Sequence, residues 1–311
     1  MHAARHRERS RRGRIPGLIG ASGRLRPPLA AALLAACGAA LGCRPADPPP
    51  GPVARVAPRR VVTLAPNLTE IVFALGAGNA LVGVSEYSDH PRQARRIPRV
   101  GGLEISAEKV ASLRPDLVLA TREGNARGPV SALAAAGLKV VVLPTGSLDA
   151  VLESVRLAGE ALGRPEAATQ LVESLSRRRE AVRARVRGRP RPRAVLLVWP
   201  DPPQAAGGGT FLDDVLSEAG AENLLASRPG WPVVSAEYLT TAPVDVVVLP
   251  ASSETRAVFE RARSSGALSR GAVSRARVVW MNEAALTRPG PRVFDALEEL
   301  ADAVSGEART P

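Results

Sequence analysis

At 311 residues with 45% hydrophobic side chains, the chain exceeds one compact domain and carries enough apolar material for two cores of about 110 to 130 residues each. The net charge of +12 argues for a nucleic-acid partner only until its placement is read: eight Arg against Glu8 put +7 of it in residues 1–36, leaving +5 for the rest. One His, His90, lies beyond that leader, which excludes Ser-His-Asp, Cys-His and multi-His zinc chemistry from the folded part and disfavours a site for bare zinc or manganese.

Residues 1–36 have the form of a secretory signal peptide: an Arg-rich start through Arg26, then the apolar run Leu29–Ala36, too short to span a bilayer. Leu34-Ala35-Ala36-Cys37 has the form of a bacterial lipobox, so Cys37 is the expected lipid anchor, with Cys43 as the alternative. Residues 37–58, rich in Pro and Ala without periodicity, are then a tether between membrane and domain. The protein is expected at the periplasmic or extracytoplasmic face.

In chain order, the folded part opens with a strand at Val61–Leu64, then Pro66 and a helix ending at Leu75-Gly76. Asn67 and Glu70 stand at capping-box spacing at the start of that helix. Strands follow at Leu117–Leu119 and Lys139–Leu143. A long amphipathic helix spans Pro165 to Arg187, with Ala168, Leu171, Val172, Leu175, Val182 and Val186 on one face. Beyond it, Val195–Val198 runs through Pro200 and the Gly/Pro-rich stretch Pro202–Thr210 into a helix ending at Ala219-Gly220. Strands at Val244–Leu249 and Arg277–Trp280 complete the alternation, which argues for parallel sheets covered on both faces.

The two halves repeat each other. Ile105-Ser-Ala-Glu108 matches Val234-Ser-Ala-Glu237 at an offset of 129, which also pairs Asp116 with Asp245 and Leu117–Leu119 with Val246–Val248. The fold class is therefore α/β: two similar lobes, each a parallel sheet flanked by helices, joined by a single long α-helix. Residues 59–164 form the N-terminal lobe, 165–188 the interlobe helix and 189–305 the C-terminal lobe. A rigid helical connection permits only a small hinge motion.

The scarce aromatics and polar turn residues gather at the carboxyl ends of the predicted strands: Pro66 and Asn67, Tyr87 within Ser85–Asp89, Gly124 and Asn125, Trp199, Trp231 and Arg288. Such groups suit a cleft that stacks on a bulky ligand and hydrogen-bonds its rim. Gly207-Gly-Gly209 lacks the Lys-Ser/Thr of a phosphate loop and is expected to be a flexible loop. Arg177 to Arg193, with no aromatic interleaved, is expected to be a solvated face and not a nucleic-acid surface. Glu108 and Glu237, at equivalent places, suit either helix N-terminal charge or contact with a two-fold symmetric partner.

Leu64-Ala-Pro-Asn-Leu-Thr-Glu70, Gly83–Pro91, Leu113–Leu119, Gly124-Asn125, Asp201-Pro-Pro203, Trp231–Glu237 and Arg288–Arg292 together resemble the periplasmic cobalamin-binding proteins. These belong to the long-helix-spine substrate-binding proteins, which also include haem and siderophore binders. The resemblance spans residues 59–305. It implies capture of cobalamin or a related corrinoid, with haem or a ferric siderophore as the alternative, without cofactor, metal site or turnover. It implies delivery by a monomer to an ABC permease dimer with its ATPase subunits. By resemblance Tyr87, Trp231 and Arg288 contact the corrinoid, and Glu108 and Glu237 dock Arg residues of the permease. Thr121 stands where that family has a Trp, and a second Trp is missing near Gly102-Leu103, losses for which Trp199 is expected to compensate on the other wall. Tetrapyrrole metal chelatases share a two-lobed form and need a base in the cleft, a role only His90 offers here.

Overall fold

The computed structural model describes residues 57–306 apart from Leu103 and Ala267. The signal peptide, Cys37, Cys43 and the tether up to residue 56 lie outside the described residues.

Strands β1 (Val61–Thr63), β2 (Leu81–Val84), β3 (Leu117–Thr121) and β4 (Val140–Leu143) form an all-parallel sheet in the order β2-β1-β3-β4. Helices α1 (Pro66–Ala74) and α4 (Leu148–Leu162) cover one face; α2 (Ala107–Ser112) and α3 (Arg127–Ala135) cover the other. Strand alternation divides the residues. Leu117 and Leu119 of β3 enter the core with α1 and α4, whereas Val118 and Ala120 enter the core with α2 and α3. Each such fully buried Leu or Val side chain contributes about 1.5–3 kcal/mol of transfer free energy.

Helix α5 (Pro165–Val186) leads into the second lobe. There β5 (Arg193–Pro200), β6 (Pro203–Ala205), β8 (Val246–Pro250) and β9 (Arg277–Met281) lie in the order β6-β5-β8-β9, and the short β7 (Glu222–Asn223) also pairs with β5. Helices α6 (Phe211–Glu218), α10 (Glu283–Thr287) and α11 (Val293–Ser305) pack on one face; α7 (Ala236–Thr241), α8 (Ser253–Ser264) and α9 (Gly271–Arg275) pack on the other.

The repeat is visible in detail. α2 and α7 are both six residues long, and each is capped by a serine whose hydroxyl accepts an N–H three residues on, Ser106 from Lys109 at 3.2 Å and Ser235 from Tyr238 at 3.1 Å. Gly76 and Gly220 follow α1 and α6 in the left-handed conformation, φ 69° and 89°.

Four expectations need correction. α1 has no capping box: Pro66 is its first residue, Asn67 lies inside it, and the Asn67 and Glu70 side chains reach the other lobe. The second sheet is not wholly parallel, because β6 runs antiparallel to β5. The Gly/Pro-rich stretch is not a free loop. Gly207 N–H donates to Gly230 O (2.9 Å) and Gly208 N–H to Arg228 O (2.8 Å), so closely that a Cβ at either glycine would stand 2.0 Å from a carbonyl oxygen. The Arg-rich face is only partly solvated. Arg179 is buried between Asp149 of α4 and Glu218 of α6, while Arg178 binds Asp295 and Glu298 of α11.

The lobes are tied on two sides. On the spine side, Leu148 N–H donates to Asp214 Oδ2 at 2.9 Å, beside the Arg179–Asp149 pair. On the other, the segment 288–292 grips α1: Arg292 binds Glu70 through two hydrogen bonds of 2.9 and 2.5 Å, and Asn67 Nδ2 donates to Pro289 O at 3.0 Å.

Candidate functional site

All four parallel strands of the first lobe direct their carboxyl ends at one cleft of about 400 Å³, as open α/β sheets do. Leu64–Asn67 follow β1, Ser85 and Tyr87 follow β2, Thr121 and Glu123–Asn125 close β3, and Thr145-Gly146 follow β4. The second lobe supplies Gly209–Phe211, Gly230-Trp231 and Thr287–Pro289.

The first wall is built to hold its shape. A chain of buried hydroxyls, Thr63–Thr69–Ser88–Ser85, runs beneath the turn that carries Tyr87 in steps of 2.7, 2.8 and 2.8 Å. Arg99 fixes the same turn by donating to Ser85 O and Ser88 O. The Tyr87 ring is left 55% exposed over the cleft. Asn125 spends its amide internally: Oδ1 accepts from Thr121 N–H (2.8 Å) and Nδ2 donates to Leu64 O (2.9 Å), joining the ends of β3 and β1. Glu123 accepts from the backbone and hydroxyl of Thr145 at 2.7 and 2.8 Å.

On the opposite wall Trp231 is 44% exposed and rests edge-to-face on Phe211, centroids 6.1 Å apart. Arg288 lines the cleft, yet its guanidinium already binds Asp89 at 2.5 Å and lies 3.6 Å from Glu70. Burial pulls the Asp89 carboxyl upward, but the Arg288 hydrogen bond and charge outweigh it, with a smaller pull from Arg95, and hold its pKa below the usual carboxylate range.

Of the residues singled out in the sequence, the structure brings Pro66, Asn67, Tyr87, Gly124, Asn125, Trp231 and Arg288 to this cleft. Trp199 is not among its lining residues. It sits half-buried near the end of β5, and its indole N–H donates to Asp201 O at 2.8 Å. His90 is exposed and also outside the lining. Glu108 and Glu237 lie away from the cleft, each exposed at the second position of α2 and α7.

Sequence reasoning missed Thr145, Gly146 and Phe211. The first two sit just past β4, where the strand-end rule already pointed. Phe211, one of four Phe, opens the helix after the glycine stretch.

The chain is 31% identical over 254 residues to the uncharacterized ABC transporter substrate-binding lipoprotein YvrC of Bacillus subtilis (strain 168), covering 79% of this chain and 80% of the relative. It is 32% identical over 257 residues to the vitamin B12-binding protein of Salmonella paratyphi A, covering 82% and 93%. Among solved structures, the periplasmic heme-binding protein RhuT from Roseiflexus sp. RS-1 superposes with a TM-score of 0.73 at 27% identity, covering 80% of this chain and 98% of that one. Residues 61–267 match the periplasmic binding protein family, and the chain belongs to it.

Proposed function

We propose that this protein is the substrate-binding component of an ABC importer, capturing cobalamin or a related corrinoid in the interlobe cleft and releasing it unchanged to a membrane permease. The charge of the cleft is what carries the reading. Among the described residues lining it, the only cation is Arg288, already bound to Asp89, and the only carboxylate is Glu123. A haem brings two propionates, and many ferric siderophores are anionic; both call for cations that can bind them. A corrinoid edged with neutral amides does not. The two exposed rings, Tyr87 and Trp231, supply apolar faces for a macrocycle, and the vitamin B12-binding relative supports the same choice.

The haem reading keeps one observation in its favour beside the haem-binding neighbour. The Tyr87 phenol is the one cleft group of a type that ligates haem iron, since no His, Cys or Met lines the site among the described residues. Titrating the purified protein with cyanocobalamin and, in parallel, with haemin separates the two. Saturable one-to-one cobalamin binding, weakened tenfold or more by Trp231→Ala, is expected. Tight haemin binding without cobalamin binding overturns the ligand assignment.

The reading extends to delivery. Glu108 and Glu237 stand exposed on capped, equivalent helices and are suited to pair with Arg residues on the two halves of a permease dimer that is driven by its ATPase subunits. Acylation at Cys37 would hold the exported protein at the extracytoplasmic membrane face, a reading the lipoprotein relative supports. In a reconstituted transporter, the double variant Glu108→Gln/Glu237→Gln is expected to retain ligand affinity and lose uptake; unchanged uptake removes the docking role.

A further inference from the structure

The offset that pairs Glu108 with Glu237 also pairs Gly102 with Trp231. In the second lobe that place is filled by the indole itself, which stands on Phe211 and faces the cleft. In the first lobe it has no side chain of its own. An ideal Cβ on Gly102 would lie 3.0 Å from Tyr87 Cε2, 3.5 Å from Tyr87 Cζ and 3.0 Å from Glu86 Oε2. The Tyr87 ring therefore borders the space that a side chain at position 102 would enter. Each lobe presents an aromatic ring at the equivalent place, by different means: one lobe carries it on the repeat position, the other borrows it from the turn after β2.

We infer that Gly102 is a specificity-determining positioning residue, whose missing side chain lets the Tyr87 ring settle back against the first wall and so sets the width of the aromatic slot between Tyr87 and Trp231. The backbone does not demand glycine here. Gly102 lies outside the left-handed region, unlike its neighbour Gly101 at φ 125°, so alanine fits the main chain at 102 and its effect is transmitted through the ring. Tyr87 is more than half exposed and has solvent to move into. Gly102→Ala therefore leaves stability nearly unchanged and pushes the ring toward Trp231, narrowing the slot for a bulky macrocycle. This deepens the corrinoid reading of the cleft and rests on it for the choice of first probe.

The test is a crystal structure of Gly102→Ala together with a double-mutant cycle on Tyr87. The probe is cyanocobalamin, or haemin if the unaltered protein binds only that; failure of cyanocobalamin to bind the unaltered protein counts against the proposed ligand and not against this inference. Gly102→Ala is expected to displace the Tyr87 ring, leave the urea midpoint in place, and weaken binding at least fivefold. In the Tyr87→Ala background the same substitution should change affinity less than twofold. A ring that stays where it is, an unaltered affinity, or an equal loss in both backgrounds overturns the inference. If neither probe binds, the ring position in the crystal structure alone decides.

Discussion

Asn125 shows how a residue that lines the cleft also serves as part of its frame. Its amide joins the ends of β3 and β1 beneath the cleft. Asn125→Ala leaves a part-buried N–H and a carbonyl without that partner, a loss of about 1–3 kcal/mol that urea denaturation would register, with ligand affinity falling as the floor relaxes. Asp116 and Asp245 make a second residue-level case. The repeat pairs them in the sequence; the structure supplies the reason, since Asp116 Oδ2 accepts the N–H groups of Arg59 and Arg60 at 2.9 Å, and Asp245 Oδ2 accepts that of Arg193 at 2.9 Å. The same device pins the start of the first strand in each lobe. The Arg193 side-chain hydrogen bond, then its backbone N–H, lowers the Asp245 pKa from the ordinary 3.8 to about 2. A depressed folded-state pKa contributes stability above the unfolded value and loses it as pH falls through the folded one. Asp245→Asn is thus expected to flatten the stability profile between pH 3.8 and about 2, read as urea midpoints, by a small amount because the pair is solvent-exposed.

At the scale of the element, α5 is the clearest case of what sequence does and does not carry. Its 22 residues run about 33 Å, and its apolar positions were legible from helical spacing, as Ala168, Leu175 and Val182 are buried. Its charges were not. The acids that meet Arg178 and Arg179 come from α4, α6 and α11, 30 to 120 positions away in the chain, so a local reading sees only a run of cations. Arg179 is 7% exposed and Glu218 14%. Burial raises the Glu218 pKa, but hydrogen bonds from Arg179 and Arg183 outweigh it and keep the carboxyl below its ordinary range. Arg179→Met leaves that buried acid with Arg183 alone and is expected to destabilise the protein by about 3 kcal/mol in urea denaturation. The same non-locality explains why the Gly/Pro stretch looked like a loop: its partners, residues 226–230, lie about twenty positions on.

For the whole molecule, the spine on one side and the Arg292–Glu70 grip on the other restrain the cleft from both flanks. Small-angle scattering is therefore expected to show a change in radius of gyration below about 1 Å when the ligand binds. Arg292→Ala, which weakens the grip on a Glu70 side chain only 4% exposed, is expected to raise hydrogen exchange in α1 and widen that change. Leu148 and Val151 of α4, which belong to the first lobe, share one apolar cluster with Phe294, Leu297 and Leu300 of α11. The lobes look like modules in outline but are sewn together inside, so they should melt in one cooperative transition. A polypeptide emerging from its amino end would hold an unfinished apolar seam until α11 arrives, and a fragment ending before residue 293 would be a client for chaperones and proteases, not a half-sized receptor.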